Sequence, residues 1–157
     1  MGSGKSYIGK KICDKINLSH IDLDDYIVKH EHKSITNIFI ENGEIYFREI
    51  EKQYLSKIIN RDNFLLSTGG GTPIYYDNLD LMNVHGTTIY LKYSHITLYN
   101  RLKNSKDNRP LIKDLSNNQL KRFIKEELDN REEIYNKAKI IIEEKDISIN
   151  KIITLLG

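Results

Sequence analysis

Short apolar runs alternate along this chain with longer segments in which apolar residues recur every three or four positions. The runs at 19–23, 63–67, 87–91 and 139–142 are too short for helices and read as strands. The periodic segments at 5–16, 43–60, 94–103, 117–138 and 149–156 predict helices. Strands separated by helices need right-handed crossovers, which give a parallel sheet covered on both faces. The pattern therefore predicts a three-layer α/β/α fold. No repeat, low-complexity tract or linker interrupts the chain, so residues 1–157 are expected to form a single domain.

Two of the helical patterns contain charges where a core is expected. In 117–138, Leu120, Ile124, Leu128 and Tyr135 form an apolar stripe, and Arg131 falls on it. An inward guanidinium costs several kcal/mol (roughly) unless an anion meets it or its stem snorkels outward. In 43–60, Phe47, Ile50, Tyr54 and Ile58 make the stripe, with Arg48 and Glu51 three residues apart on its edge. Taken by itself, that spacing is best read as an ordinary surface ion pair.

Composition narrows the partners. Hydrophobic residues make up 39% and charged residues 29% of 157, a balance that supports a core and argues against disorder. The net charge of +2 gives no polyanion-binding surface, so nucleic acid is not an expected partner. Cys13 is the only cysteine, which rules out an intramolecular disulfide and fits a reducing, cytoplasmic setting. No run approaches the ~20 apolar residues of a membrane span. The first apolar run is broken by Lys5, Lys10 and Lys11, unlike a signal peptide. His20, His30, His32, His85 and His95 show no metal-ligand spacing.

The chemistry starts at the first residues. Gly2-Ser3-Gly4-Lys5-Ser6 is the second half of a Walker A phosphate loop and leads straight into an amphipathic helix. Backbone N–H groups of such a loop surround phosphate oxygens, the lysine reaches the β- and γ-phosphates, and the serine hydroxyl ligates Mg²⁺. The full pattern has a further glycine upstream and a buried strand before it, and neither is present. The natural chain is therefore expected to begin earlier, supplying the central strand of a sheet of about five. An intact-mass measurement on native protein would decide this.

Further along, Asp22-Leu23-Asp24-Asp25 closes the first strand run. On an extended chain Asp22 and Asp24 would project to the same side, at the strand end where α/β folds bind ligands. Asp25 is a candidate helix N-cap. Gly69-Gly70-Gly71 follows the second strand run and would let backbone pass close to a ligand. Residues 104–116 carry Lys106, Asp107, Arg109-Pro110 and Lys113, a composition suited to a lid that brings positive charge to a transferring phosphoryl group.

Together these segments resemble the shikimate kinase family, a branch of the nucleoside-monophosphate-kinase-like P-loop proteins. The resemblance runs from Met1 to about Ile142. It rests on Gly-Ser-Gly-Lys-Ser, Asp-Leu-Asp-Asp, the run from Gly43 to Glu51, Ser67-Thr-Gly-Gly-Gly71, Asn108-Arg-Pro-Leu111 and the run from Arg131 to Tyr135, in the family's order and spacing. It implies ATP-dependent phosphorylation of the shikimate 3-hydroxyl, a step toward chorismate and the aromatic amino acids, by a phosphotransferase that commonly acts as a monomer.

It further implies roles. Gly2, Ser3, Gly4, Lys5 and Ser6 would hold ATP, with Ser6 on Mg²⁺ and Asp22 near the metal. Asp24 would bind shikimate hydroxyls and orient or deprotonate the attacking one. Arg48 and Arg131 would clamp the shikimate carboxylate, Glu51 would steady Arg48, and Gly69, Gly70 and Gly71 would form the adjoining wall. Arg109 would close with the lid onto the transferring group and contact ATP, and Arg101 would stack on adenine. Two local departures stand out. Tyr7 replaces the small hydroxyl residue that commonly follows Lys-Ser, and the segment after Ile142 lacks the family's adenine-side pattern, so no adenine contact is assigned there.

The same residues have two rival readings. One is another small-metabolite P-loop kinase, such as a gluconate kinase, which the paired arginines and triple glycine oppose. The other is a binding module without turnover, which the presence of Lys5, Asp24, Arg48, Arg109 and Arg131 opposes. A substrate panel with ADP detection separates all three.

Overall fold

The computed structural model describes residues 2–104 and 112–157. Helix α1, Lys5–Ile16, starts directly behind the glycine loop and ends on Asn17 in the left-handed conformation. Strand β1, Ser19–Asp22, runs parallel to β2, Phe64–Ser67, with Ser19 opposite Phe64 and Asp22 opposite Ser67. Strand β3, Ile89–Lys92, runs parallel to β4, Ile140–Glu143, with Ile89 opposite Ile140.

The described strands thus form two parallel pairs, where the sequence pattern led to a single sheet of about five. One apolar cluster spans both pairs. Ile12 of α1, Ile142 of β4 and Ile152 of α7 (Ile149–Leu156) are buried together, against Leu65 of β2 and Ile89 of β3. Parallel pairing and helical connections follow the pattern read from sequence.

Three helical segments were not legible in that pattern. Helix α2, Leu23–Glu31, begins where the first strand run was expected to continue, and it buries Leu23 and Ile27. Helix α3, Ile35–Ile58, starts well before Gly43, on the Ser34 cap. It is kinked at Gly43, whose φ of 82° and ψ of 175° lie outside helical space and suit a residue without Cβ. Helix α4, Asn78–His85, follows a short 3-10 turn at Thr72–Ile74. Helices α5, His95–Leu102, and α6, Asn117–Tyr135, match the expected segments within a few residues.

α2 and the second half of α3 share a core of Leu23, Ile27, Phe47, Ile50, Leu55 and Ile58. In a separate cluster, α5 and α6 enclose Leu98, Leu102, Leu120 and Ile124. Ile112 lies fully buried in that second cluster and anchors the chain just before α6. Among the described residues, no helix is long and apolar enough to cross a membrane.

Candidate active site

Lys5 is the first residue of α1, capped by Gly4 at φ 76°. Ser6 Oγ donates a 2.5 Å hydrogen bond to Asp22 Oδ2, so the helix start and the end of β1 are tied together. Ser67, at the end of β2, is buried and links His20 Nε2 at 2.9 Å to the Lys5 carbonyl at 3.5 Å. The loop end of α1 is therefore fixed from both strands beside it.

Asp22 and Asp24 meet here by a route other than strand alternation. Leu23 has already turned into α2, and Asp22 is that helix's N-cap, accepting from the Asp24 backbone N–H at 3.1 Å. Asp25 lies in the first turn and is not the cap. A cap must satisfy free N–H groups, and the residue that leaves the strand is placed to do so. Burial, and then the nearby Asp22 charge, push the Asp24 carboxyl above its ordinary pKa, while Lys5 opposes the shift.

The Arg48–Glu51 pair is no surface ion pair. Glu51 is 0% exposed, with Oε2 accepting from Arg48 Nη1 at 2.9 Å and Oε1 accepting from Thr72 Oγ1 at 2.6 Å. A buried carboxylate with both oxygens satisfied is the condition under which such a charge is tolerated. The Arg48 guanidinium carbon lies 4.3 Å from the Tyr75 ring centre. Gly71 packs against the guanidinium so closely that a Cβ there would sit 2.6 Å from both terminal nitrogens. Burial works to lower the Arg48 pKa, but the hydrogen bond and charge of Glu51 more than offset it, and the side chain stays firmly protonated.

The glycine wall closes the site. A Cβ on Gly69 would approach Asp24 Oδ1 and Glu51 Oε1, each at 3.5 Å, which places the wall between those carboxylates. Tyr135 Oη donates to the Gly70 carbonyl at 2.6 Å and docks α6 onto the wall. Arg131, one turn earlier on α6, is half-buried and paired with Glu127. Its charge acts on the Glu44 carboxyl, which also accepts from Arg48. Lys5, Asp22, Asp24, Arg48, Glu51, the glycines and Arg131 thus gather in one region. Arg109 lies outside the described residues.

Against the same loop a cavity of about 430 Å³ is lined by Gly2, Gly4, Tyr7, Tyr93, Arg101 and Ile147, among others. Arg101 stacks on Tyr93 at 4.0 Å and donates to the Ser3 carbonyl at 3.2 Å. Ser148 and Ile149 also line the cavity. No spacing rule marked them, because they come from a chain segment remote from the loop.

A family model described as shikimate kinase matches residues 1–156. The chain belongs to the shikimate kinase family. The shikimate kinase of Azobacteroides pseudotrichonymphae genomovar. CFP2 is 47% identical over 154 residues, covering 98% of this chain and 91% of that protein. That of Parabacteroides distasonis is 45% identical over 140 residues, covering 89% and 81%. The crystal structure of shikimate kinase from Bacteroides thetaiotaomicron superposes with a TM-score of 0.94 at 34% identity, covering 99% of this chain and 93% of that one. A shikimate kinase from Acinetobacter baumannii, solved in complex with shikimate, gives a TM-score of 0.88 at 26% identity, covering 99% and 87%. These matches support the α/β P-loop class of the fold.

Proposed function

We infer that this site carries out the family's reaction, transfer of the γ-phosphoryl group of ATP to the 3-hydroxyl of shikimate, a step toward the aromatic amino acids. The observation that carries the reading is the Arg48–Glu51 pair wedged between Thr72 and Gly71, with Asp24 against the same glycine wall and Lys5 at the start of α1 nearby. That is an anion clamp beside a carboxylate base, facing a phosphate loop.

In this reading Arg48 and Arg131 receive the shikimate carboxylate, since a planar fork of donors matches two oxygens. Asp24 binds the attacking hydroxyl and takes its proton as the oxygen–phosphorus bond forms. The bond from the γ-phosphorus to the bridging oxygen breaks, and ADP leaves. Lys5 offsets charge on the phosphates, and Arg109 of the 104–116 lid is assigned the same task on the transferring group. The cavity beside Arg101 and Tyr93 takes the adenine.

Ser6 and Asp22 fit Mg²⁺, because they bring a hydroxyl and a carboxylate oxygen together at the loop. Magnesium favours few protein oxygens alongside substrate phosphates and water, and no cluster of three or more His, Cys, Asp or Glu exists among the described residues. When bound, the ion would neutralise phosphate charge. The enzyme is read as a cytoplasmic monomer, which light scattering coupled to gel filtration would check.

ADP release with Mg-ATP should depend on shikimate, and gluconate should not replace it. ATP turnover indifferent to shikimate would overturn the assignment.

A further inference from the structure

Glu44 takes no part in the roles assigned above, yet it holds the most accessible side of Arg48. It is the first residue after the Gly43 kink, and that break sets the start of the second half of α3. One oxygen, Oε1, accepts from Arg48 Nη2 at 3.0 Å, from Arg48 Nε at 3.3 Å and from Tyr75 Oη at 2.9 Å. With Nη1 on Glu51, all three Arg48 nitrogens are engaged with carboxylates.

A third carboxylate at Arg48 competes with these two for a single positive charge and for donors that already face them. The two competitors are not equivalent. The Glu51 side chain is 1% exposed and also held by Thr72, so moving it would strand a buried charge. The Glu44 side chain is 51% exposed and can turn into water at little cost. Hydrogen bonds from Tyr75 and Arg48, with the Arg131 charge adding to them, hold its carboxyl below the usual range, so it is ionised. It therefore lies in the field of both arginines assigned to the substrate.

We propose that Glu44 is a displaceable counter-ion, holding Arg48 in place in the empty site and yielding it to the carboxylate of shikimate. The proposal rests on the reading of Arg48 and Arg131 as the carboxylate clamp. Glu44 is thus a specificity-determining residue. It makes a neutral ligand exchange a bonded anion for nothing, while a carboxylate replaces like with like.

The test is steady-state kinetics of Glu44→Gln with shikimate and with its methyl ester, beside Arg131→Ala. Glutamine keeps an acceptor oxygen and removes the competing charge. The KM for shikimate is expected to fall about threefold, the scale of one exposed ion pair, with the KM for ATP unchanged and the KM for the ester falling at least as far, so that discrimination against the neutral ligand narrows. If Arg131→Ala raises the shikimate KM but Glu44→Gln raises it too or leaves it unchanged, the clamp stands. Glu44 is then a fixed brace, and the proposal fails. If Arg131→Ala moves the shikimate and ATP values alike, the clamp reading itself fails and takes this proposal with it.

Discussion

Glu51→Ala is expected to lower folding stability by about 3 kcal/mol, more than a surface charge removal would. The carboxylate is 0% exposed and both its oxygens are bonded, so truncation leaves a cavity, an unpaired Thr72 hydroxyl and a guanidinium short of one partner. Arg48 retains Glu44, which keeps the loss at the lower end of values for broken buried pairs. Urea denaturation should show a shifted midpoint with an unchanged slope, and thermal melting should drop by roughly 6–12 °C. A loss below ~1 kcal/mol would mean that the network is redundant. Glu51→Gln, which keeps one acceptor and can still receive the Thr72 bond, should recover part of the loss.

Asp24→Asn is expected to reduce kcat by about a thousandfold, the central value for removing a positioned base. Burial and the Asp22 charge raise the Asp24 pKa, so its carboxyl binds a proton at a higher pH than an ordinary aspartate. In the proposed mechanism the carboxylate is the working form. Activity should therefore fall on the acid side as pH drops through that raised value, with a midpoint above the ~4 of a free aspartate. The asparagine variant should lack this acid limb. A kcat within tenfold of the parent, or an acid limb that survives the substitution, would remove Asp24 from the base role.

Much of this was readable from residue order. Helix α1 and helix α7 fall on the segments their periodicity marked, because each lays a plain apolar stripe on the strands. The phosphate loop and the Arg48–Glu51 pair were visible as local spacing. What escaped depended on distant partners. Asp22 and Asp24 were read as alternating along a strand, but Leu23 is fully buried as the first residue of α2, and core packing ends β1 there. Glu51 could be named from its spacing, but its burial could not, since Thr72 and the wall come from another segment. Glu44 stands four residues before Arg48, a spacing that does signal a helical pair, though nothing local says that Tyr75 shares it.

The glycine wall also bears on how the protein folds. Glu51 meets Thr72 across 21 residues, and Tyr135 meets Gly70 across 65. Such closures carry a chain-entropy cost that local helices do not, and the wall is complete only when both are made. Shikimate bound in the proposed way, between the wall and α3, would then grip a part of the molecule that exists only in the folded state. Its binding should slow unfolding and leave the refolding rate nearly untouched, so that in a denaturant chevron only the unfolding arm moves.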